Sequence, residues 1–388
     1  MKIAILGDFD ISDNYPNTKH LLAMIESDTR FEVIEISPSA VNPRNLYKAT
    51  KHPLRAIGTL WNMFSRALRV SWKIRKTDFE DCEVVYVQYP ATIILFLYSL
   101  LPGRSNNRPL LVMDCFISLY DTVVLDRALV NERGLAARFL RYAERRAVSV
   151  ADLIIADTQA NADYLQGILG GRPAQWIALN LCINESLFQN TQTQPSLTDT
   201  GAKVEVLFIG SFVPLQGVDV VVKAAIQLRD RTDIHFRLLG DGQTAAAVET
   251  LLKDNDANLD WDRNWYPIEY LAERYQQADV CLGIFGATEK AARVLPYKVY
   301  MGFASGKPVI SRDIKWSMSG AQPIPIAGVD ENSPGALAAM ICQLADSPIN
   351  RAELGAAGRR FYEKQLSNRI ALDGFYGALS ARLESTER

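Results

Sequence analysis

The chain has 388 residues, of which 48% are apolar and 22% charged, with 42 basic and 44 acidic side chains. This length predicts two or three domains, and the apolar content excludes disorder as the main state. A net charge of −2 argues against a general nucleic-acid binder. Residues 2–6 form a short apolar run ending at Gly7, and residues 18–27 read as a helix. Residues 31–36 alternate apolar and charged side chains, the period of a strand. Residues 84–88 and 110–113 are further strand-like runs, 134–150 a long basic helix and 153–156 another buried strand. This strand–helix alternation predicts a parallel sheet covered on both faces.

The polar segment 190–203 (NTQTQPSLTDTGAK) reads as a linker, after which the pattern restarts. Strands are expected at 204–209, 235–239, 280–284 and 308–311, and helices at 218–230, 244–253 and 297–304. The expected organisation is an α/β chain of two tandem Rossmann-like doubly wound domains facing a cleft. The domains are 1–190 and 204–365, the linker is 191–203, and a last helix within 366–388 is a candidate for packing back on the first domain. Phe361, Tyr362, Phe375 and Tyr376 would suit such packing, although ordinary core burial also accounts for them. Ligands of such sheets bind beyond the carboxyl ends of the strands.

The five cysteines are widely spaced and odd in number, which suggests small buried hydrophobes in a reducing compartment. Three histidines argue against a histidine-rich metal site. No secretion signal is visible, and the apolar run 91–101 is too short to span a bilayer. A cytoplasmic address is expected. Residues 48–76 carry eight basic residues and no acid, with Trp61, Phe64, Leu68 and Trp72 at helical spacing. This is either an interfacial anchor for an anionic membrane or a helix packed on the first domain with a solvated basic face.

Neither GxxxxGK[ST] nor GxGxxG after the first strand is present, so P-loop phosphoryl transfer and dinucleotide hydride chemistry lose ground. Asp8-Phe9-Asp10 is either a metal-holding DxD or, more simply, a capping loop. The informative stretch is 278–310, ADVCLGIFGATEKAARVLPYKVYMGFASGKPVI. There a strand runs into Gly283 and Gly286, a loop carries Lys290 and Arg293, and Pro296 opens a helix with Lys298 in its first turn. A helix N-terminus beside cations suits a diphosphate. The plainer reading is an ordinary strand–loop–helix unit with a solvated lysine.

This stretch resembles the nucleotide-sugar site of GT-B glycosyltransferases, family 4 in particular, and a bacterial branch with the pattern G-I-F-G…V-[IL]-P-x-K-V-Y…G-K-P-V-I. Further similarity lies in Phe208-Ile-Gly-Ser-Phe-Val-Pro-Leu-Gln-Gly-Val-Asp219, Leu238-Leu-Gly-Asp-Gly242, Ala151-Asp-Leu-Ile-Ile-Ala-Asp-Thr158 and Asp114-Cys-Phe-Ile-Ser-Leu-Tyr-Asp-Thr122. The resemblance implies a retaining, metal-independent hexosyltransferase. It would move sugar from a UDP- or GDP-sugar to a glycan or lipid-linked acceptor in polysaccharide biosynthesis. The nucleotide-sugar is a substrate, and no cofactor is expected. Candidate catalytic residues are Lys298, Arg293, Asp114 and Asp121, the two aspartates as acceptor-orienting groups or turn caps. Donor contacts are expected from Gly7, Gly210, Ser211, Gln216, Gly240, Asp241, Trp265, Tyr266, Lys290, Val294 and Leu295.

The chain also departs from the family. Met301 stands where a ribose-binding glutamate is usual and Arg293 where its partner glutamate is. Ser211 and Gln216 replace the usual Arg and Lys of the first donor-domain loop. The missing charge must come from Lys290, Arg293 or Lys298. These departures keep a non-catalytic binding or scaffold protein open as an alternative. A sugar-nucleotide epimerase on the same fold is the other.

Overall fold

The computed structural model describes residues 1–7, 16–37, 53–76, 82–102, 108–188, 203–314 and 323–386. The chain forms two compact units, Met1–Cys182 with Asn368–Arg388, and Ile183–Ser367. Each holds a six-stranded sheet in which every pairing is parallel.

In the first unit the order is β2-β1-β3-β4-β5-β6, with β1 Lys2–Leu6, β2 Glu32–Ser37, β3 Val84–Val87, β4 Leu110–Asp114, β5 Leu153–Ala156 and β6 Trp176–Ala178. Strand alternation distributes the apolar side chains. Ile3 and Ile5 join one core cluster, while Ala4 and Leu6 join the other. Helix α1 spans Pro16–Ser27, and the second face is covered by the four helices that follow it, α2 Pro53–Lys76, α3 Ala91–Leu100, α4 Leu135–Val150 and α5 Gln159–Leu169. The first face is covered by α1 Pro16–Ser27 together with the last helix, Asn368–Thr386. Phe375 of that helix is fully buried, 5.3 Å from the ring of Tyr86.

In the second unit the order is β12-β11-β10-β7-β8-β9, with β7 Val204–Ile209, β8 Ile234–Leu239, β9 Leu259–Asp262, β10 Val280–Leu282, β11 Val309–Arg312 and β12 Ala327–Val329. Helices α6 Val218–Gln227, α7 Ala245–Lys253 and α10 Pro334–Ala345 share one core cluster with this sheet. Helix α8 spans Ile268–Gln277, α9 Tyr297–Ala304 and α11 Pro348–Phe361; the last helix is therefore α12. Helix α9 lies so close to the sheet that a Cβ on Gly302 would stand 2.7 Å from Val309. Phe361 packs on Phe303 and Tyr362 donates to Glu185, both inside this unit. The sheet order reverses between β7 and β10, so their carboxyl ends open a crevice suited to a ligand.

Asp8-Phe9-Asp10, most of segment 190–203 and residues 48–52 lie outside the described residues.

Candidate functional site

The carboxyl end of β7 is where the donor-loop residues meet. Gly210 donates its N–H to the Leu239 carbonyl at 3.0 Å, and Gly240 donates to Asp262 at 2.9 Å, tying the ends of β7, β8 and β9 together. Gly240 has φ of +138°, and a Cβ there would stand 2.0 Å from the Gly210 carbonyl oxygen. Only glycine permits that approach. After Gly210 and half-buried Ser211, one helical turn at Pro214–Gln216 leads to Gly217 in the left-handed region at φ +61°. This turn is pinned to the exit of β10, where Phe285 N–H donates to Gln216 O at 3.1 Å and Gly286 N–H to Leu215 O at 3.2 Å.

Lys298 sits in the first turn of α9, whose N-cap is Pro296. Its side chain is buried rather than solvated. Nζ donates to Gln216 Oε1 and lies 3.7 Å from the centroid of the Phe208 ring. A Cβ on Gly210 would stand 2.9 Å from that Nζ. The fold thus gathers Gly210, Gln216 and Lys298 at the reversal point of the sheet. Burial, with no carboxylate partner among the described residues, draws the Lys298 ammonium well below the usual lysine range.

The other donor-side candidates flank this point. Lys290, half-buried, and Arg293, Val294 and Leu295, all buried, stand on the segment joining β10 to α9. Buried Met301 follows on α9. Asp241, at the end of β8, pairs with Arg263 at 2.9 Å, and that guanidinium lies 4.9 Å over the Trp261 ring. Beyond β9, Trp265 is 64% exposed. Tyr266 donates to Asp262 Oδ2 at 2.5 Å and stacks on Tyr270. These two aromatics therefore stand two strands away from β7.

One residue that sequence reasoning missed holds the segment after β10. Arg312, at the end of β11, donates Nη1 to the carbonyls of Gly286 at 2.7 Å and Thr288 at 3.3 Å, and Nη2 to Glu331. Nothing in the local sequence distinguishes this arginine from a solvated one.

In the first unit, Gly7 closes β1 and is buried. Asp114 closes β4 and accepts the Phe116 N–H at 3.1 Å and the Tyr86 hydroxyl at 3.4 Å. Full burial pushes its carboxyl up to about 6. Asp121, also buried, opens a π-helical turn, Asp121–Asp126, and its N–H donates to Ser118 Oγ at 3.1 Å.

That turn is anchored by Glu144, which sequence reasoning did not single out. Glu144 is 0% exposed and accepts from Ser118 Oγ at 2.6 Å, Leu119 N–H at 2.6 Å, Tyr120 N–H at 3.2 Å and Thr92 Oγ1 at 3.3 Å. The available signal was that it is the lone acid in an arginine-rich helix. Gln88 is the second omission. It follows β3, is fully buried, and neither amide atom has a hydrogen-bond partner among the described residues. Among the described residues no cluster of three or more His, Cys, Asp or Glu is placed to hold a metal. No described helix is long and apolar enough to cross a membrane.

Residues 203–347 match the family model of glycosyl transferases group 1. D-inositol 3-phosphate glycosyltransferase of Thermobispora bispora is 26% identical over 233 residues, covering 56% of this chain and 53% of that protein. The chain spans about half the length of the curated relatives it matches. Sucrose-phosphate synthase of Thermosynechococcus elongatus superposes with a TM-score of 0.68 at 16% identity, covering 98% of this chain and 99% of that one. HepE of Anabaena, in complex with UDP and glucose, superposes with a TM-score of 0.67 at 14% identity, covering 98% of this chain and 100% of that one. The two doubly wound α/β units have the GT-B fold that these two structures share.

Proposed function

We propose that this chain is a family 4-like glycosyltransferase. It moves a hexose-type sugar from a UDP- or GDP-sugar to a glycan or glycolipid acceptor in polysaccharide assembly. The reaction proceeds with retention and without a metal ion. The observation that carries this reading is the position of the Lys298 ammonium against Gln216 and Gly210, at the start of α9. The family match over residues 203–347 covers that region, and the UDP-bound HepE of like fold favours a UDP-sugar.

Glycosyl departure leaves negative charge on the β-phosphate. A cation and helix-terminal N–H groups fixed beforehand stabilise that charge as it grows. The loop after β7 lacks the basic pair usual in the family, since Ser211 and Gln216 stand there. Lys298 delivers an ammonium to Gln216 from another element, restoring the charge by a different route. A diphosphate beside it favours the protonated form that burial opposes. The acceptor hydroxyl attacks from the side the phosphate vacates and passes its proton to that phosphate, so no carboxylate base is needed. Arg293 and Lys290 supply further charge to the diphosphate, while Val294 and Leu295 offer backbone N–H groups to the sugar. Gly7, Gly240, Asp241, Trp265 and Tyr266 complete the donor contacts. Asp114 and Asp121 orient the acceptor.

The chain works in the cytoplasm, attached peripherally to the inner face of the membrane. Five cysteines, all free, suit that reducing compartment.

The test is a thermal-shift screen against UDP, GDP and their sugars, followed by measurement of nucleoside diphosphate release with glycan and lipid-linked acceptors. We expect a UDP- or GDP-selective rise in melting temperature. Lys298→Met keeps the buried volume and removes the charge, and turnover should fall by about 100- to 1,000-fold. Unchanged turnover in that variant would remove Lys298 from the mechanism. The replaced basic pair and Met301 favour one second reading, a binding protein that kept the fold. It predicts nucleotide-induced stabilisation with no release from any sugar nucleotide.

A further inference from the structure

We infer that the outer surface of helices α2, α3 and α4 in the first unit seats on an anionic lipid bilayer, with a central strip of aromatic side chains entering the headgroup region and arginines around it meeting lipid phosphates. This surface is separate from the donor site; the inference deepens the peripheral attachment proposed above and does not depend on the transfer chemistry.

The strip begins on α2. At about 100° per residue, Trp61, Phe64, Leu68 and Trp72 share one flank of this helix, next to the buried stripe of Ala67, Ser71 and Ile74. That flank leans toward α3, because Ser71 Oγ donates to Ile94 O at 2.7 Å and the Arg75 guanidinium lies 4.7 Å over Tyr98. Trp61 is 70% exposed and stacks on Phe64 at 6.2 Å between ring centroids. A second aromatic group lies on the next two helices, where half-buried Phe96 of α3 meets Phe139 and Tyr142 of α4 edge-on at 5.8 and 6.2 Å. Both α4 aromatics are more than half exposed, and Leu135 at the head of α4 is 82% exposed. Exposed aromatics on both α2 and α4, the helices that flank α3, are more than a folded chain scatters singly on its surface.

The charge around these aromatics is predominantly positive, although Lys73 of α2 pairs with Glu35 and exposed Glu132 lies just before α4. Helix α2 contains no acidic residue, and the only acid of α4, Glu144, is turned inward and fully buried. Arg69 on α2, and Arg138, Arg141 and Arg145 on α4, are exposed and form no ion pair among the described residues. Arg138 and Arg145 lie on the flank of α4 away from Phe139, so the aromatic strip has arginines on its far side. Tryptophan and tyrosine beside arginine match the chemistry of the headgroup–acyl boundary. Each basic residue near an anionic surface adds to the attraction, and the contributions sum over the rim.

The experiment is co-sedimentation of the full-length chain with vesicles of phosphatidylcholine alone, or with about a third phosphatidylglycerol. The chain should pellet with the anionic vesicles, stay in solution with the neutral ones, and be released by high salt. Arg138→Gln combined with Arg145→Gln should lower the partition coefficient about 30-fold. Trp61→Ser combined with Phe139→Ser should lower it at least as much. All four side chains are exposed, so both variants should melt with the wild type. Failure to pellet with anionic vesicles overturns the inference, as does equal binding to neutral ones. Self-association of the chain that the same variants abolish, without vesicle binding, would make a second copy the occupant and also overturn it.

Discussion

Two buried carboxylates in the first unit differ in how they are held. Glu144 accepts four hydrogen bonds, whereas Asp114 accepts the backbone N–H of Phe116 at 3.1 Å, that of Tyr89 and a longer contact from Tyr86. Burial raises both, and for Asp114 it does so to about 6 from an ordinary 3.8. An acid whose folded value lies above its unfolded one binds more protons in the native state across that window. Native stability therefore falls as pH climbs from about 4 to about 6, and above it the penalty is on the order of 3 kcal/mol. Asp114→Asn keeps the shape and removes the charge. Urea titrations should find the variant equal to the wild type near pH 4 and more stable above pH 7. A variant that is less stable at pH 8 would mean that the ionised form is well supported after all.

Connecting segments in the second unit are held by groups far away in sequence. Arg312 binds Gly286 and Thr288 through their carbonyls and Glu331 through its carboxylate. Arg312→Met strips these acceptors of their donor inside the protein and should cost about 3 kcal/mol. The urea midpoint should drop, and the KM for donor should rise because the loop preceding α9 loosens. Glu331→Gln, at a half-exposed position, should do much less. If the two variants proved equivalent, the carbonyl contacts would not be what holds the segment.

Such distance explains what could be read from the sequence. Central strands such as Val84–Val87 and Leu110–Asp114 announce themselves as apolar runs because helices bury both their faces. The helix within 48–76 is legible from its period, and 297–304 from the proline before it and the glycine after. The edge strands β6, β9 and β12 were not legible. They have three or four residues, and β9 reads Leu-Asp-Trp-Asp, half acidic. At the site, the glycine turns were visible as motifs. The meeting of Lys298 with Gln216 was not, because the two lie 82 positions apart. Glu144 and Arg312 escaped for the same reason, since their partners come from other elements.

Taken as a whole chain, the first unit is assembled from both ends of the sequence. Ala371, Leu372, Phe375 and Leu379 of α12 are buried in the core cluster that contains Ile3, Ile5 and Tyr86. Burial of the three large side chains contributes on the order of 6 kcal/mol, comparable with the full stability of a typical domain. A chain stopped after Ser367 should therefore lose protease resistance throughout residues 1–182, as read by limited proteolysis and mass mapping. Equal resistance of the shortened and full chains would show that α12 is dispensable.

A ribosome delivers Phe375 only after every strand of both sheets has been made. The nascent amino-terminal sheet waits through that interval with one flank uncovered, while the later sheet receives all its partners in a continuous stretch. Speed of elongation and chaperone cover, rather than native contacts alone, then govern how much protein matures, and a premature stop codon between Ser367 and Phe375 harms the part of the molecule translated before it.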